Sequence, residues 1–241
     1  MIRILPVHGL PEVGQGDDIA VRVAERIALE GGDVVVVAHK IVSKAEGRVV
    51  RLDELEPSER ARELSAGERD PREVEAILRE ARRVVRERPP LVIAETRHGF
   101  VCASAGVDHS NAAAADEVVL LPLDPDASAR RLRERLRELT GCNVAVVVSD
   151  SFGRPFRHGT TDVAIGVAGL APLVDLRGTA DRGGRLLRST QIAIADEIAS
   201  AADLARGKAE GLPVVVVRGL APAGDGAATE LVIEPERDLF R

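Results

Sequence analysis

The chain has 241 residues, 45% of them hydrophobic, with a formal net charge of −6 and a pI near 5.5. An acidic chain with no Trp or Tyr and four Phe offers neither the basic face nor the stacking platforms of a nucleic-acid binder, and no apolar run approaches the roughly 20 residues of a membrane helix. Pro6, Pro11 and Glu12 interrupt the stretch where a signal peptide needs a continuous apolar segment, so a soluble cytoplasmic protein that binds neither nucleic acid nor membrane is expected.

Residues 2–5 read as a short strand. In the following loop, HGLPEVGQGDD, Asp17 or Asp18 can cap a helix running to about residue 30, with Ile19, Ala20, Val23, Ala24, Ile27 and Ala28 as its apolar stripe. Residues 34–37 form a buried strand that leads directly into AHKIVSKAEGR. Of 33 basic residues only Lys40, Lys44 and Lys208 are lysine, and a compact ammonium kept in an arginine-rich chain fits a phosphate site. Lys40 and Lys44 lie just past that strand end.

Asp70, Pro71 and Glu73 make a helix start, and the stripe Val74, Ile77, Leu78, Ala81 and Val85 predicts a helix that Pro89 and Pro90 break before a strand at 91–94. The segment ETRHGFVCASAGVDHSN then crowds Asp108, His109, Ser110 and Asn111 into one turn after an apolar, glycine-containing run. A strand at 118–121 precedes the capped helix of DPDASARRLRERLREL, with Ala129, Leu132, Leu136 and Leu139 inward.

The strand at 144–148 ends abruptly in SDSFGRPFRHG. Buried strands deliver polar side chains at their carboxyl ends, where ligands bind in open α/β sheets. Asp150 offers a hard oxygen to Mg²⁺ or Mn²⁺, Ser151 a second oxygen, Gly153 a close backbone approach, and Arg154 and Arg157 charge for phosphate oxygens. Asp175, Arg177 and Asp181 fit either a cleft lining or ordinary turns. An alanine-rich helix over 190–207, a last buried strand at 214–217 and a short strand in the tail complete the chain. Cys102 and Cys142 lack metal-ligand spacing and read as small buried hydrophobes.

Asp108 and Asp150 share one arrangement, an acid just beyond an apolar run with small polar neighbours, and two such carboxylates can hold a divalent ion that bridges nucleotide phosphates. There is no GxxxxGK[ST] loop, kinase catalytic loop, GxSxG elbow or HExxH helix. No repeat or low-complexity linker divides the chain, so a two-lobed architecture would be interwoven.

The motifs GLPEV (9–13), GDD (16–18), KIVSKAEGR (40–48), AGVDHSN (105–111), LPLDPDASA (121–129), SDSFGRPFRHG (149–159) and DEIASAADLARGKAEGLPVVVVRG (196–219) together resemble the coenzyme F420-0:L-glutamate ligase family, also called F420-0 gamma-glutamyl ligase. The resemblance implies an α+β fold without a P-loop, built as a single unit over 1–241 of two interwoven lobes with no C-terminal reductase domain. It implies a homodimeric, GTP-dependent ligase that joins L-glutamate to the lactyl carboxylate of F420-0 through an acyl phosphate, then adds further gamma-linked glutamates. Mn²⁺ or Mg²⁺, two per site, and K⁺ are the implied cofactors. By position, Leu10, Pro11, Glu12, Val13, His39, Lys44 and Asn111 would contact GTP. Asp108 and Asp150 would ligate one metal and Ser151 a second, while Arg206, Gly207 and Lys208 close on the nucleotide or second metal. Lys44, Arg154 and Arg157 would neutralise phosphoryl charge. His39 replaces a small hydroxyl residue common among relatives, Ser151 a threonine, and Lys208 a glutamine. The rival readings are a related amide ligase with another acceptor and a non-catalytic deazaflavin- or nucleotide-binding protein.

Overall fold

Two unbroken valine runs set the centre of the molecule: Val34, Val35, Val36 and Val37, and Val214, Val215, Val216 and Val217, are at most 1% exposed. Continuous β-branched runs of this length suit strands covered on both faces. The computed structural model describes residues 1–109, 114–207 and 210–239. In chain order it contains β1 (Arg3–Pro6), α1 (Ile19–Ala24), β2 (Val34–Ala38) and α2 (His39–Ala45), then β3 (Val49–Arg51), α3 (Glu59–Ser65), α4 (Pro71–Glu80), β4 (Ala81–Arg88), β5 (Leu91–Thr96), β6 (Val101–Ala103) and β7 (Glu117–Val119). It continues with α5 (Pro125–Thr140), β8 (Ala145–Arg154), β9 (Arg157–Ala168), β10 (Val174–Asp175), β11 (Gln191–Ile192), α6 (Ile194–Arg206) and β12 (Val214–Arg218).

The main sheet has the order β1-β12-β2-β8-β9, with β2 and β8 parallel and the other pairs antiparallel. α1 and α5 pack on each other and α5 on β8 and β9, while α6 contacts β1, β12 and β9. A second hydrophobic cluster, drawn from residues between Leu52 and Leu120, is built from α3, α4 and the small sheets β3-β7 and β4-β5-β6. It is inserted within the sequence of the first, whose residues lie on both sides of it, and Phe100 at the β5-β6 turn packs into the first core. The fold is α+β, as the sequence implies, and no helix among the described residues is long and apolar enough to cross a membrane.

Four expectations need correction. The helix starting at Asp70 stops at Glu80, and residues 81–88, Val85 included, form a strand antiparallel to β5. Arg82 and Arg83 both reach the buried Glu95 on the partner strand, at 3.2 and 2.7 Å, so cross-strand charge pairing and the β-branched Val84 and Val85 override helical periodicity. The first helix ends at Ala24 because Arg26 Nη1 donates to Arg22 O, the carbonyl a continuing helix would bond through Arg26 N–H. Instead Arg26 N–H donates to Val23 O, a tighter turn. Leu139 is 41% exposed, outside the inward stripe of α5. The tail forms 3₁₀ turns at Ala228–Leu231 and Pro235–Arg237 and no strand among its described residues.

Close packing of α5 on β9 depends on Gly166. A Cβ there would stand 2.3 Å from the Pro125 carbonyl oxygen, a backbone atom at the start of α5. Asp126 fixes the same corner, its Oδ1 accepting from Val167 N–H at 2.7 Å and Ala228 N–H at 2.8 Å. Gly166→Ala is therefore expected to destabilise the protein by about 3 kcal/mol, read as a lower urea midpoint at unchanged slope.

Candidate functional site

The parallel register of β2 and β8 sets Ala38 opposite Ser149, and there β2 ends while β8 runs on paired with β9 alone. The next residues, His39 and Asp150, emerge side by side, with Nε2 3.3 Å from Oδ1. A cavity of about 250 Å³ opens at this edge. Leu10, Pro11, Glu12 and Val13 line one side, and Asp203, Arg206 and Gly207 at the end of α6 line another, followed by Gly211, Leu212 and Pro213. α2 contributes His39, Lys40, Ile41 and Lys44, and β8 contributes Ser149, Asp150 and Ser151.

Beneath the cavity lies a buried polar network centred on Asp162 of β9, 1% exposed. Ser149 Oγ donates to its Oδ2 at 2.8 Å, Ser151 Oγ to its Oδ1 at 2.6 Å, and Arg206 Nη1 pairs with Oδ2 at 2.5 Å. Arg206 Nη1 also reaches Ser149 Oγ at 3.0 Å. Ser151 spends its proton on Asp162, so its hydroxyl oxygen can meet a ligand only as an acceptor. Arg206 Nε and Nη2 are buried without a hydrogen-bond partner among the described residues, and His39 Nε2 has the 3.3 Å approach to Asp150 but no well-aligned hydrogen bond. Buried guanidinium N–H groups left in this condition call for an anionic acceptor, because an unsatisfied buried donor costs about 1–3 kcal/mol.

Lys44, with a side chain 10% exposed, donates to Glu12 Oε2 at 3.2 Å, joining α2 to the 10–13 loop. Lys40 pairs with Asp108 Oδ2 at 2.6 Å. Asp108 is delivered by a turn in which Ser104 and Ala105 hold φ of 56° and 51°, a conformation that costs energy for residues other than glycine. Among the described residues no three of His, Cys, Asp and Glu converge as a metal cluster. By chemical type, the oxygens of Asp150 and Ser151 on the cavity wall and of Asp108, held by the neighbouring Lys40, suit a hard ion that takes one or two carboxylates and completes its shell with water and phosphate.

Of the residues singled out by sequence, Leu10, Pro11, Glu12, Val13, His39, Lys44, Asp150, Ser151, Arg206 and Gly207 all line this one cavity. Asn111 and Lys208 lie outside the described residues. Arg154 and Arg157 do not line it; SDSFGRPFRHG runs on as the β8-β9 hairpin, and both arginines sit at its exposed tip, where Arg154 Nη2 donates to His158 O at 2.8 Å. Asp175, Arg177 and Asp181 form local turns: Arg177 pairs with Asp175, holding that carboxyl down at about 2, and Asp181 accepts from Gly183 and Arg185 N–H. Burial pushes the Cys102 thiol up to about 12, as befits a packing residue rather than a nucleophile. Asp162 escaped the sequence reading; its only signal is a lone acid heading the apolar run DVAIGVA.

Residues 9–219 match the sequence profile of the family described as F420-0:gamma-glutamyl ligase. A coenzyme F420:L-glutamate ligase of Methanopyrus kandleri is 50% identical, over 100% of this chain and 98% of the relative. Proteins of the same name from Methanothermobacter thermautotrophicus and Archaeoglobus fulgidus are 45% and 44% identical, each over 100% of this chain and 99% and 96% of their own lengths. The chain belongs to the F420-0:gamma-glutamyl ligase family. Membership spans both hydrophobic cores and every element that lines the cavity.

The Asp162–Arg206 pair is desolvated on both sides, with side-chain exposures of 1% and 11%. Asp162→Asn keeps the size of the side chain and leaves the Arg206 charge uncompensated, and is expected to lower unfolding free energy by about 3 kcal/mol in urea titrations.

Proposed function

We propose that this chain is a GTP-dependent ligase that joins L-glutamate to the lactyl carboxylate of coenzyme F420-0 and then extends the product with gamma-linked glutamates. The observation that carries this reading is the convergence of the 10–13 loop, His39, Lys44, Asp150, Ser151 and Arg206 on one cavity, within a chain that shares 44–50% of its residues with full-length ligases of that name.

A carboxylate is a poor electrophile, because its charge and resonance oppose attack by an amine. Phosphorylation removes that obstacle. An oxygen of the lactyl carboxylate attacks the γ-phosphorus, the bond from that phosphorus to the bridging oxygen breaks, and GDP departs. The glutamate amine then attacks the acyl carbon of the acyl phosphate, its carbon–oxygen bond breaks, inorganic phosphate leaves and the amine proton is lost, giving an amide. Little covalent chemistry falls to the protein, so its task is positioning and charge neutralisation.

In this reading the 10–13 loop and His39 position the nucleotide, and Lys44 and the unpartnered N–H groups of Arg206 face phosphate oxygens. Asn111 and Lys208 are proposed to join them. Asp108, Asp150 and Ser151 would hold Mn²⁺ or Mg²⁺, two per site, with K⁺ as a further activating ion. A divalent ion at that place supplies positive charge to the transferred phosphoryl oxygens. Arg154 and Arg157, at the tip of the β8-β9 hairpin, would serve a site only by reaching beyond their own cavity, an arrangement that a homodimer permits. The whole chain is proposed to act as one catalytic unit in the cytoplasm.

Mass spectrometry of F420-0 incubated with the protein, GTP, Mn²⁺ and L-glutamate tests this reading, with ATP replacing GTP as the control. A ladder of glutamyl increments with GTP alone is the expected result. Unchanged F420-0 despite tight GTP binding would point to another acceptor, and binding of F420-0 without turnover to a carrier protein. Asp150→Asn is expected to abolish the ladder while the far-ultraviolet circular dichroism stays that of the wild type.

A further inference from the structure

A second cavity, of about 200 Å³, adjoins the first across β8: Ser151 lines the first and the next residue, Phe152, lines the second. Its wall is almost wholly apolar, formed by Phe100, Val163, Leu231 and Val232 with Phe152. Phe100 and Phe152 meet edge to face, with ring centroids 6.3 Å apart at an interplanar angle of 70°. In a chain with four phenylalanines and no other large aromatic residue, two of the four are spent on this one spot.

A single acid, Asp196, lines the same cavity, its Oδ1 accepting from Ala164 N–H at 2.9 Å. Burial pushes this carboxyl above its ordinary range. An apolar, aromatic-walled cavity with one fixed hydrogen-bonding group is the usual form of a site for a planar heteroaromatic ring.

The two cavities also stand at the two ends of α6. Asp196 is in its first turn and Arg206 is its last residue, so ten residues of helix, about 15 Å, separate the two groups. We infer that the second cavity holds the deazaflavin ring of the acceptor, its edge N–H directed at Asp196 and one face on the aromatic wall that Phe152 forms with Phe100, while its carboxylate end reaches the first cavity. This rests on the ligase reading, which gives the acceptor a planar ring at one end and the reacting carboxylate at the other. Substrate recognition is thereby divided: the ring is gripped by groups that take no part in phosphoryl transfer, and α6 acts as the spacer that sets how far the carboxylate extends.

The test uses a truncated probe, the deazaflavin bearing only its ribityl chain, titrated against the full-length protein by fluorescence anisotropy without nucleotide. Two variants accompany the wild type. Val232→Trp fills the second cavity from its edge, and Phe152→Ala removes one ring face. The wild type is expected to bind the probe and each variant to bind it about tenfold or more weakly, while GTP affinity stays unchanged in Val232→Trp. No probe binding by the wild type, or equal binding by a folded Val232→Trp, would overturn the inference. Glutamyl transfer by a wild type that ignores the probe would sink the ring site alone, whereas probe binding that responds to both variants without any transfer would leave the ring site standing and sink the ligase reading.

Discussion

The parallel pairing of β2 with β8 is the constraint on which the rest of the molecule depends. In a mixed sheet whose other neighbours are antiparallel, these are the two adjacent strands whose chains run the same way. Ligands of open sheets gather at such ends, and here the end of β2 leaves one edge of β8 open just where Asp150 and Ser151 follow. The in-register match of Ala38 with Ser149 brings a histidine and an aspartate together from positions more than a hundred residues apart. A slip by one residue would turn every side chain of one strand to the opposite face and separate them. The valine-rich cores of β2 and β12 hold that register by burial on both faces.

The second constraint is electrostatic. Asp162 takes hydrogen bonds from Ser149 and Ser151 and an ion pair from Arg206, so one buried carboxylate ties β8, β9 and the end of α6 into a rigid floor. Among the described residues the same network leaves two Arg206 nitrogens, Nε and Nη2, to spare, and the serine hydroxyls donate into Asp162. Positive and negative groups are thus laid out in advance, which is what a phosphoryl-transfer site needs, since groups that do not have to reorganise stabilise developing charge most effectively.

Much of this was legible in the sequence, for identifiable reasons. The valine runs announced β2 and β12, and Asp70, Asp124 and Asp18, the last one of the two caps the sequence offered, do cap helix starts, each accepting a backbone N–H two or three residues on. Ten residues proposed for the site from motif resemblance converge on one cavity. What escaped was governed by partners distant in sequence. Val85 fits a helical stripe until Glu95 is seen across the hairpin. Arg26 looks like a surface residue until it bonds Gly9 and Arg22 carbonyls and stops α1. Asp162 carries no local signal, because its importance lies in Ser149, Ser151 and Arg206. The hairpin character of 149–159 was hidden by a motif rich in glycine, proline and arginine, which reads as a loop when β9 is not yet known to pair with it.

The central proposal is that the cavity where β2 ends beside β8 holds nucleotide and divalent metal together. Crystals grown with GDP and Mn²⁺, measured at the manganese absorption edge, test it most directly. Anomalous density beside Asp150 and Ser151, with the diphosphate between Lys44 and Arg206, is the expected result. Nucleotide and manganese bound away from this cavity, or bound manganese with no contact to Asp150, would contradict it.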